Sequence, residues 1–250
     1  MKIVIIGGTG LIGSKVVEKL GEAGHEALAA SPDTGVNTLT GEGLAEALEG
    51  ADIVVDVANA PNWDDAAVLD FFLTSSRNTL AAEAVAGVKH HVVLSVVGAE
   101  RLPESGYMRA KVAQEDAVKA GSVPYSILRA SQFFEFIGRI VDSGSTGEAI
   151  HLPSAFVQPE SADDVASTLA DVTVNAPLNG VIELGGPEQL RMDELARRFL
   201  EAHHDARLVE TDDNAPYFGA VLQAHSLTPG PDARIAPTRF EEWLSQSVPA

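Results

Sequence analysis

Tyr107 and Lys111 lie four positions apart in a segment with helical periodicity, so one face of a helix would carry both side chains. A phenol has an ordinary pKa near about 10 and works as an acid–base group at neutral pH when a nearby positive charge stabilises its phenolate. Lys111 could supply that charge. Ser95, at the end of a β-branched run, could donate to a carbonyl oxygen while hydride reaches the carbon. The alternative is an ordinary helix with two surface residues.

A glycine-rich turn lies between the apolar run 2–6 and a segment with helical spacing. Glycines at 7, 10 and 13 allow close approach of the backbone, and the free N–H groups at a helix start favour a phosphate. A tight turn without a ligand is the alternative. The residues predicted to hold a dinucleotide pyrophosphate are Gly7, Thr9, Gly10, Leu11, Ile12 and Gly13.

The preference between NAD and NADP depends on the end of the second predicted strand, at Ala30 and Ser31. Neither the acidic residue typical of NAD binding nor the Arg that accommodates the 2′-phosphate of NADP occurs there. No Lys or Arg lies between Lys19 and Arg77. The sequence therefore favours NAD slightly and leaves NADP open, with Ser31 as the polar cofactor contact.

Short apolar segments alternate with helical segments through the first half of the chain. Predicted strands cover 2–6, 26–30, 36–39, 53–57, 92–96 and 125–128, and predicted helices cover 11–23, 43–48, 64–86 and 107–120. This alternation predicts an α/β fold with a doubly wound parallel Rossmann sheet, which binds ligands at the carboxyl ends of its strands.

The alternation breaks after Arg129, which predicts a smaller C-terminal substrate lobe. A late strand at 181–184 and a helix at 192–202 are expected there. The predicted division is a Rossmann core of 1–130, to which 155–175 returns, and a lobe of 131–154 and 176–250. Phe133, Phe134 and Phe136 are candidates to contact an apolar substrate, with core packing as the alternative for at least two of them.

The composition of the chain limits the classes of molecule that it is expected to bind. The formal charge of -19 would repel nucleic acid and anionic lipid, and the absence of cysteine excludes disulfides and thiolate metal sites. The adjacent pairs His90-His91 and His203-His204 diverge in direction, so no metal is expected. We expect a cytoplasmic protein that binds a small molecule, and the oligomeric state is left open.

The chain resembles the short-chain dehydrogenase/reductase superfamily, in particular its atypical NmrA-like branch of extended type. The matching motifs are GGTGLIG at 7–13, HVVLSVVGA at 91–99, YMRAK at 107–111, PYSILRAS at 124–131, SADDVA at 161–166 and VIELGGPE at 181–188. The resemblance implies that Ser95, Tyr107 and Lys111 occupy the catalytic positions, with Lys111 also holding the nicotinamide ribose. It further implies that Ala58 and Asn59 line the adenosine and ribose, and capping of a turn is an equal alternative for Asn59.

One position departs from the extended family, in which an Asn commonly sits early on the helix before the serine strand. Phe72 occupies that position here, and Asn78 follows further along the helix.

The leading hypothesis is an NAD(P)-dependent oxidoreductase that moves hydride between nicotinamide and a small apolar carbonyl, imine or quinone, with Tyr107 as proton donor or acceptor. The alternatives are a non-catalytic NAD(P) redox-sensing regulator and a biosynthetic tailoring enzyme of oxygenase or epimerase type.

Overall fold

The computed structural model describes residues 1–146 and 149–247. Its strands, numbered along the chain, are β1 (Lys2–Ile6), β2 (Glu26–Ala30), β3 (Ile53–Asp56), β4 (His90–Val96), β5 (Tyr125–Ala130), β6 (Ser145–Thr146), β7 (Ala149–Leu152), β8 (Phe156–Val157), β9 (Gly180–Gly185), β10 (Leu190–Arg191), β11 (Leu208–Thr211) and β12 (Arg234–Ile235). Its helices are α1 (Leu11–Glu22), α2 (Leu44–Leu48), α3 (Asp65–Ala86), α4 (Gly106–Ala120), α5 (Ile137–Ser143), α6 (Ala162–Val174), α7 (Met192–Ala202) and α8 (Phe240–Ser247).

A seven-stranded sheet with every pairing parallel runs in the order β12-β9-β5-β4-β3-β1-β2. Its central strands are largely apolar because helices cover both faces. Ile3 and Ile5 pack with α1 and α6 on one face, while Val4 and Val54 pack with α2 on the other. The predicted doubly wound Rossmann sheet is confirmed.

The predicted strand 36–39 is wrong, and β2 is the sheet edge instead. Asn37 forms a single antiparallel bridge with Glu42 around a tight turn. Its side-chain oxygen accepts from the Leu39 N–H at 2.9 Å. This local hydrogen bond folds the segment back on itself, so its backbone is not available to a neighbouring strand.

A second apolar core lies beyond β5, between α5, α7 and α8. Phe134, Ile140, Leu195 and Phe240 are buried in it. The strands β6, β7 and β11 form a small sheet, and β8 pairs with β10. Within the segment 176–250 that the sequence places in the smaller lobe, however, β9 and β12 extend the central sheet. The division into two lobes stays a prediction.

In the part of the chain that the structure describes, every helix falls short of the length or the apolarity that a membrane crossing requires.

Candidate functional site

A cavity of about 860 Å³ opens at the carboxyl edge of the central sheet. The ends of five neighbouring strands line it, at Ile6, Ala30, Val57, Val96 and Ala130. Parallel strands all present their carboxyl ends to the same edge, where loops and helix N-termini gather. The volume falls in the range of small-molecule and cofactor sites.

The glycine turn forms one wall of this cavity. Gly7 has a φ of 79°, and a Cβ added there would lie 2.9 Å from the Ala58 backbone. A Cβ on Gly13 would overlap the Gly7 carbonyl oxygen. Since α1 begins after Gly10 without a side-chain cap, its first N–H groups remain available to an anion. The turn therefore fits a pyrophosphate, and Thr9, Leu11 and Ile12 also line it.

Polar residues shape the end of the cavity beside β2. Thr9 and Ser31 share a hydrogen bond between their hydroxyl oxygens at 2.9 Å. Ala58 and Asn59 line the same cavity from the loop after β3. Asn78 donates to the carbonyl of Thr38 at 2.8 Å, which fixes the loop 37–39 against the cavity. The predicted adenosine and ribose contacts therefore come together in one region.

Tyr107 lines the opposite end of the cavity. Its ring centroid lies 4.7 Å from that of Trp63 with the planes 14° apart, and 6.1 Å from that of Phe72. Burial raises the pKa of Tyr107 to about 12. The direction is opposite to the lowered pKa that activation by Lys111 predicts. The phenol is therefore neutral at physiological pH and keeps its proton.

Lys111 is buried on the next turn of α4. It donates to the Leu94 carbonyl at 2.8 Å and to the Gln114 side-chain oxygen, and Gln114 in turn donates to Asp56 at 3.0 Å. Its ammonium also lies 4.4 Å above the ring of Phe72. Burial lowers the pKa of Lys111 to about 8, against the opposing effect of Asp56 and Glu115. Lys111 is thus fixed by the protein and lines the cavity.

Ser95 does not direct its hydroxyl at the cavity as the sequence predicts. The hydroxyl donates to the buried Glu115 at 2.7 Å. Arg129 makes two further bonds to the same carboxylate, both at 2.8 Å. Burial raises the pKa of Glu115, but the bonds from Arg129 and Ser95 outweigh it and hold the pKa below its ordinary value. Ser95 lines the cavity, but it donates its hydroxyl proton to Glu115.

The three candidate phenylalanines differ in whether they line the cavity. Phe133 and Phe136 line the cavity, whereas Phe134 is absent from its lining and is 1% exposed. Phe134 packs against Phe240 and Trp243 with ring centroids 5.4 and 5.3 Å away. Core packing accounts for Phe134, and the structure gives no support for its contact with a substrate.

Sequence reasoning missed several side chains at the Tyr107 end, namely Trp63, Arg139, Tyr217 and Phe218. Trp63 lies in the loop after β3. Loops at the carboxyl ends of parallel strands line ligand sites, so this position could have identified Trp63 as a candidate site residue. Tyr217 and Phe218 come from a tight turn in which Tyr217 bridges to Ala220. No local pattern connects that turn with the sheet edge.

The sequence model of a family described as NAD(P)H-binding matches residues 7–176. A photosystem II assembly factor, Ycf39, from Synechocystis sp. is 26% identical over 64% of this chain and 55% of its own length. A (4-alkanoyl-5-oxo-2,5-dihydrofuran-3-yl)methyl phosphate reductase from Streptomyces griseus is 31% identical over 52% of this chain and 48% of its own length. This chain thus spans about half the length of the curated relatives that it matches.

Solved structures share the fold over nearly the whole chain. MoeE5, in complex with UDP-glucose and NAD, superposes with a TM-score of 0.76 at 19% identity, over 99% of this chain and 97% of that one. A short-chain dehydrogenase/reductase superfamily protein from Agrobacterium tumefaciens with bound NAD gives 0.72 at 16% identity, over 99% and 96%. The resemblance to that superfamily is confirmed. The chain belongs to the NAD(P)H-binding family, whose Rossmann domain it carries on a short-chain dehydrogenase/reductase fold.

Proposed function

We propose that this protein is an NAD(P)H-dependent reductase of a small, largely apolar carbonyl, imine or quinone. One observation carries the proposal: the glycine turn, which follows β1, and Tyr107, which lies on α4 after β4, line one continuous cavity. That arrangement allows an anchored dinucleotide to reach Tyr107 with its nicotinamide end. The curated relative that is a reductase supports the same chemistry.

When bound, the reduced cofactor supplies the hydride. Tyr107 holds a proton at its hydroxyl oxygen because burial raises the pKa to about 12. A neutral phenol is suited to donate that proton to the substrate oxygen as negative charge develops there, and is a poor base for the reverse reaction. The carbonyl then gains one hydride at carbon and one proton at oxygen, and the phenolate takes its proton back from solvent.

Lys111 would hold the nicotinamide ribose, since its buried ammonium lies one helical turn from Tyr107 on the cavity lining. Ser95 would act through Glu115 as a positioning residue for β4 and not as a proton donor. Phe133 and Phe136 would contact the substrate.

NAD is the proposed cofactor over NADP. Lys111 and Arg139 are the cationic residues among those that line the described cavity, and both lie toward the Tyr107 end. Lys15, the nearest cation to the turn in sequence, lies 3.6 Å from Asp163 on α6. A 2′-phosphate beside Ser31 would have no cationic partner there, so we expect NADH to bind more tightly than NADPH.

The test begins with titration of the purified protein by NADH and by NADPH, followed by a panel of aldehydes, imines and quinones with the tighter cofactor. Tyr107→Phe should reduce kcat by about a hundredfold or more while leaving the Kd for NADH unchanged. Tyr125→Phe is the matched control, because Tyr125 begins β5 outside the cavity lining. Equal turnover by wild type and Tyr107→Phe would contradict the proposal.

A non-catalytic redox-sensing regulator is the second candidate. Two contacts favour it. The Ser95 hydroxyl donates to Glu115, so it is not free to donate to a substrate, and the Trp63 indole stacks on the ring of Tyr107. A regulator would bind NADH and NAD⁺ with different affinities and show no turnover on the whole panel. Turnover that depends on Tyr107 would exclude it.

A further inference from the structure

Trp63 stacks on the ring of Tyr107 and also contacts two further aromatic side chains, Phe136 and Phe218. Besides its stack on Tyr107, Trp63 lies 6.0 Å from Phe136 with planes 20° apart, and 5.5 Å from Phe218. Phe136 and Phe218 are 5.9 Å apart. We call Trp63, Phe136 and Phe218 the aromatic slot. Because the rings of Tyr107 and Phe136 lie within 14° and 20° of the plane of Trp63, the slot presents flat apolar faces on which a planar ring can stack.

Phe218 is held in the slot under backbone strain. Its φ is 43°, in the left-handed region that a bulky side chain rarely adopts. Gly219 follows with a φ of 91°, and the turn closes by a hydrogen bond from Tyr217 N–H to the Ala220 carbonyl at 2.7 Å. Strain of this kind persists where the surrounding structure requires the residue's position, which occurs most often at binding sites.

A smaller cavity of about 280 Å³ adjoins the main one and shares the aromatic slot and Arg139 with it. The Arg139 guanidinium lies 5.9 Å over the ring of Phe136. A ring in the slot would therefore have a cation at its outer edge, on the side away from the glycine turn.

Arg139 differs from most other arginines of this acidic chain. Among the described residues every arginine except Arg77 and Arg139 has a carboxylate oxygen within 4.0 Å. The acidic groups around Arg139 are already engaged. Glu135 accepts from the Ala162 N–H at 3.0 Å and from the Trp243 indole at 3.2 Å, while Asp142 lies 3.1 Å from Arg207. Arg139 is thus available to an external anion.

We propose that the substrate is a flat conjugated molecule with one carboxylate or phosphate group, whose ring is bound by the aromatic slot and whose anion is bound by Arg139. The inference rests on the proposed function, because it places the reducible group of the same molecule beside Tyr107. A guanidinium forms paired hydrogen bonds with either anion, so the two share one recognition chemistry.

Tryptophan fluorescence can test this, because Trp63 and Trp243 are the two tryptophans. Quenching that occurs in the wild type and is absent in Trp63→Phe is assigned to the slot, and the bond from Trp243 to Glu135 is kept in both proteins. The NAD⁺-saturated protein is titrated with three probes: formylnaphthoate, its methyl ester, and formylnaphthyl phosphate. We expect quenching of Trp63 by all three, with tighter binding of the two anions than of the neutral ester. The stronger anion identifies whether carboxylate or phosphate is preferred.

Arg139→Gln should raise the Kd of the anionic probes by about tenfold and leave that of the ester unchanged. Arg139→Lys keeps the charge and should recover part of the affinity. Arg77→Gln, which removes the other arginine without a carboxylate partner, is the matched control and should change nothing, since Arg77 lies on α3 outside the cavity lining.

Equal Kd values of acid and ester in the wild type would overturn this inference, as would equal effects of the Arg139 and Arg77 substitutions. NADH binding, measured separately on the same variants, should be unaffected. Absence of NADH binding to the wild type would overturn the proposed function and this inference with it, whereas intact NADH binding without a preference for the anions would overturn the substrate class alone.

Discussion

The two ends of the cavity are built in different ways. The phosphate end consists of backbone from seven consecutive residues, 7–13, between β1 and α1. The substrate end consists of side chains from distant segments, with the ring of Trp63 in contact with those of Tyr107, Phe136 and Phe218. The first end would bind a group common to all dinucleotides. The substrate end is built from separate side chains, each of which can be substituted on its own, so substrate specificity can vary there.

The substrate end also depends on buried charge. Behind it, Arg129 and Glu115 form a pair in which the carboxylate is 1% exposed, and Lys111 is buried beside Gln114 and Asp56. Among the residues that the structure describes, no comparable ion pair lies at the phosphate end, and the salt bridges of Lys15 and Lys19 with Asp163 lie outside its lining. Substitutions behind the substrate end should therefore change stability, and those at the phosphate end should change affinity.

The largest expected effect is on stability, from Arg129→Met. It leaves the Glu115 carboxylate buried with Ser95 and the half-exposed Lys119 as its partners, and should lower the free energy of unfolding by roughly 3 kcal/mol. Urea unfolding measures this. Arg234→Met is the matched control, because the pair of Arg234 with Asp171 is exposed and should contribute less than about 1 kcal/mol. Equal losses in the two variants would contradict the buried role of Glu115.

Next comes Gly13→Ala at the phosphate end. The new Cβ would overlap the Gly7 carbonyl oxygen, so the turn must shift, and the Kd for NADH should rise by roughly ten- to hundredfold. Gly21→Ala lies on the same helix with open space around the new methyl group, and should raise stability by up to about 1 kcal/mol without changing the Kd. Calorimetric titration measures both. An unchanged Kd in Gly13→Ala would show that the turn does not hold the cofactor.

A smaller effect, of opposite sign, is expected for Lys111→Met. Burial lowers the pKa of Lys111 to about 8, so at pH 7 its charged form costs folding free energy. The variant should be more stable than wild type by roughly 1–2 kcal/mol at pH 7, after the lost bonds to Leu94 and Gln114 are deducted. Cofactor binding should weaken at the same time, which is the trade-off expected of a functional lysine.

The difference in the free energy of unfolding between Lys111→Met and the wild type should change with pH in one direction. Below pH 8 Lys111 is protonated in both the folded and unfolded chain, and the full cost is present. As the pH rises from about 8 toward the ordinary lysine value near about 10.4, the folded protein loses the proton first and the cost disappears. The stability advantage of Lys111→Met should therefore shrink over that range.

The turn that we propose to hold the phosphate could be identified from the sequence because its residues are neighbours along the chain. The bounds of β1, β2 and α7 also agree with the structure, since apolar run length and helical spacing are local patterns. The substrate end was not predictable in the same way. Ser95 was expected to face the cavity, but its partner Glu115 lies on α4. The pKa of Tyr107 was expected to fall, but rings from two other segments bury it.

The smallest expected effect tests how far the phosphate end relies on side chains at all. Thr9→Val removes the hydroxyl that shares a 2.9 Å hydrogen bond with Ser31, while the backbone of the turn is kept. Because a neutral hydrogen bond contributes about 1 kcal/mol, the Kd for NADH should rise by roughly fivefold or less. Ser31→Ala removes the other partner of the same bond and should give a similar change, and combining the two substitutions should add little. Titration of all three variants measures this coupling. A loss as large as that of Gly13→Ala would mean that the hydroxyls, and not the backbone N–H groups, hold the pyrophosphate, and the contrast between the two ends would no longer stand.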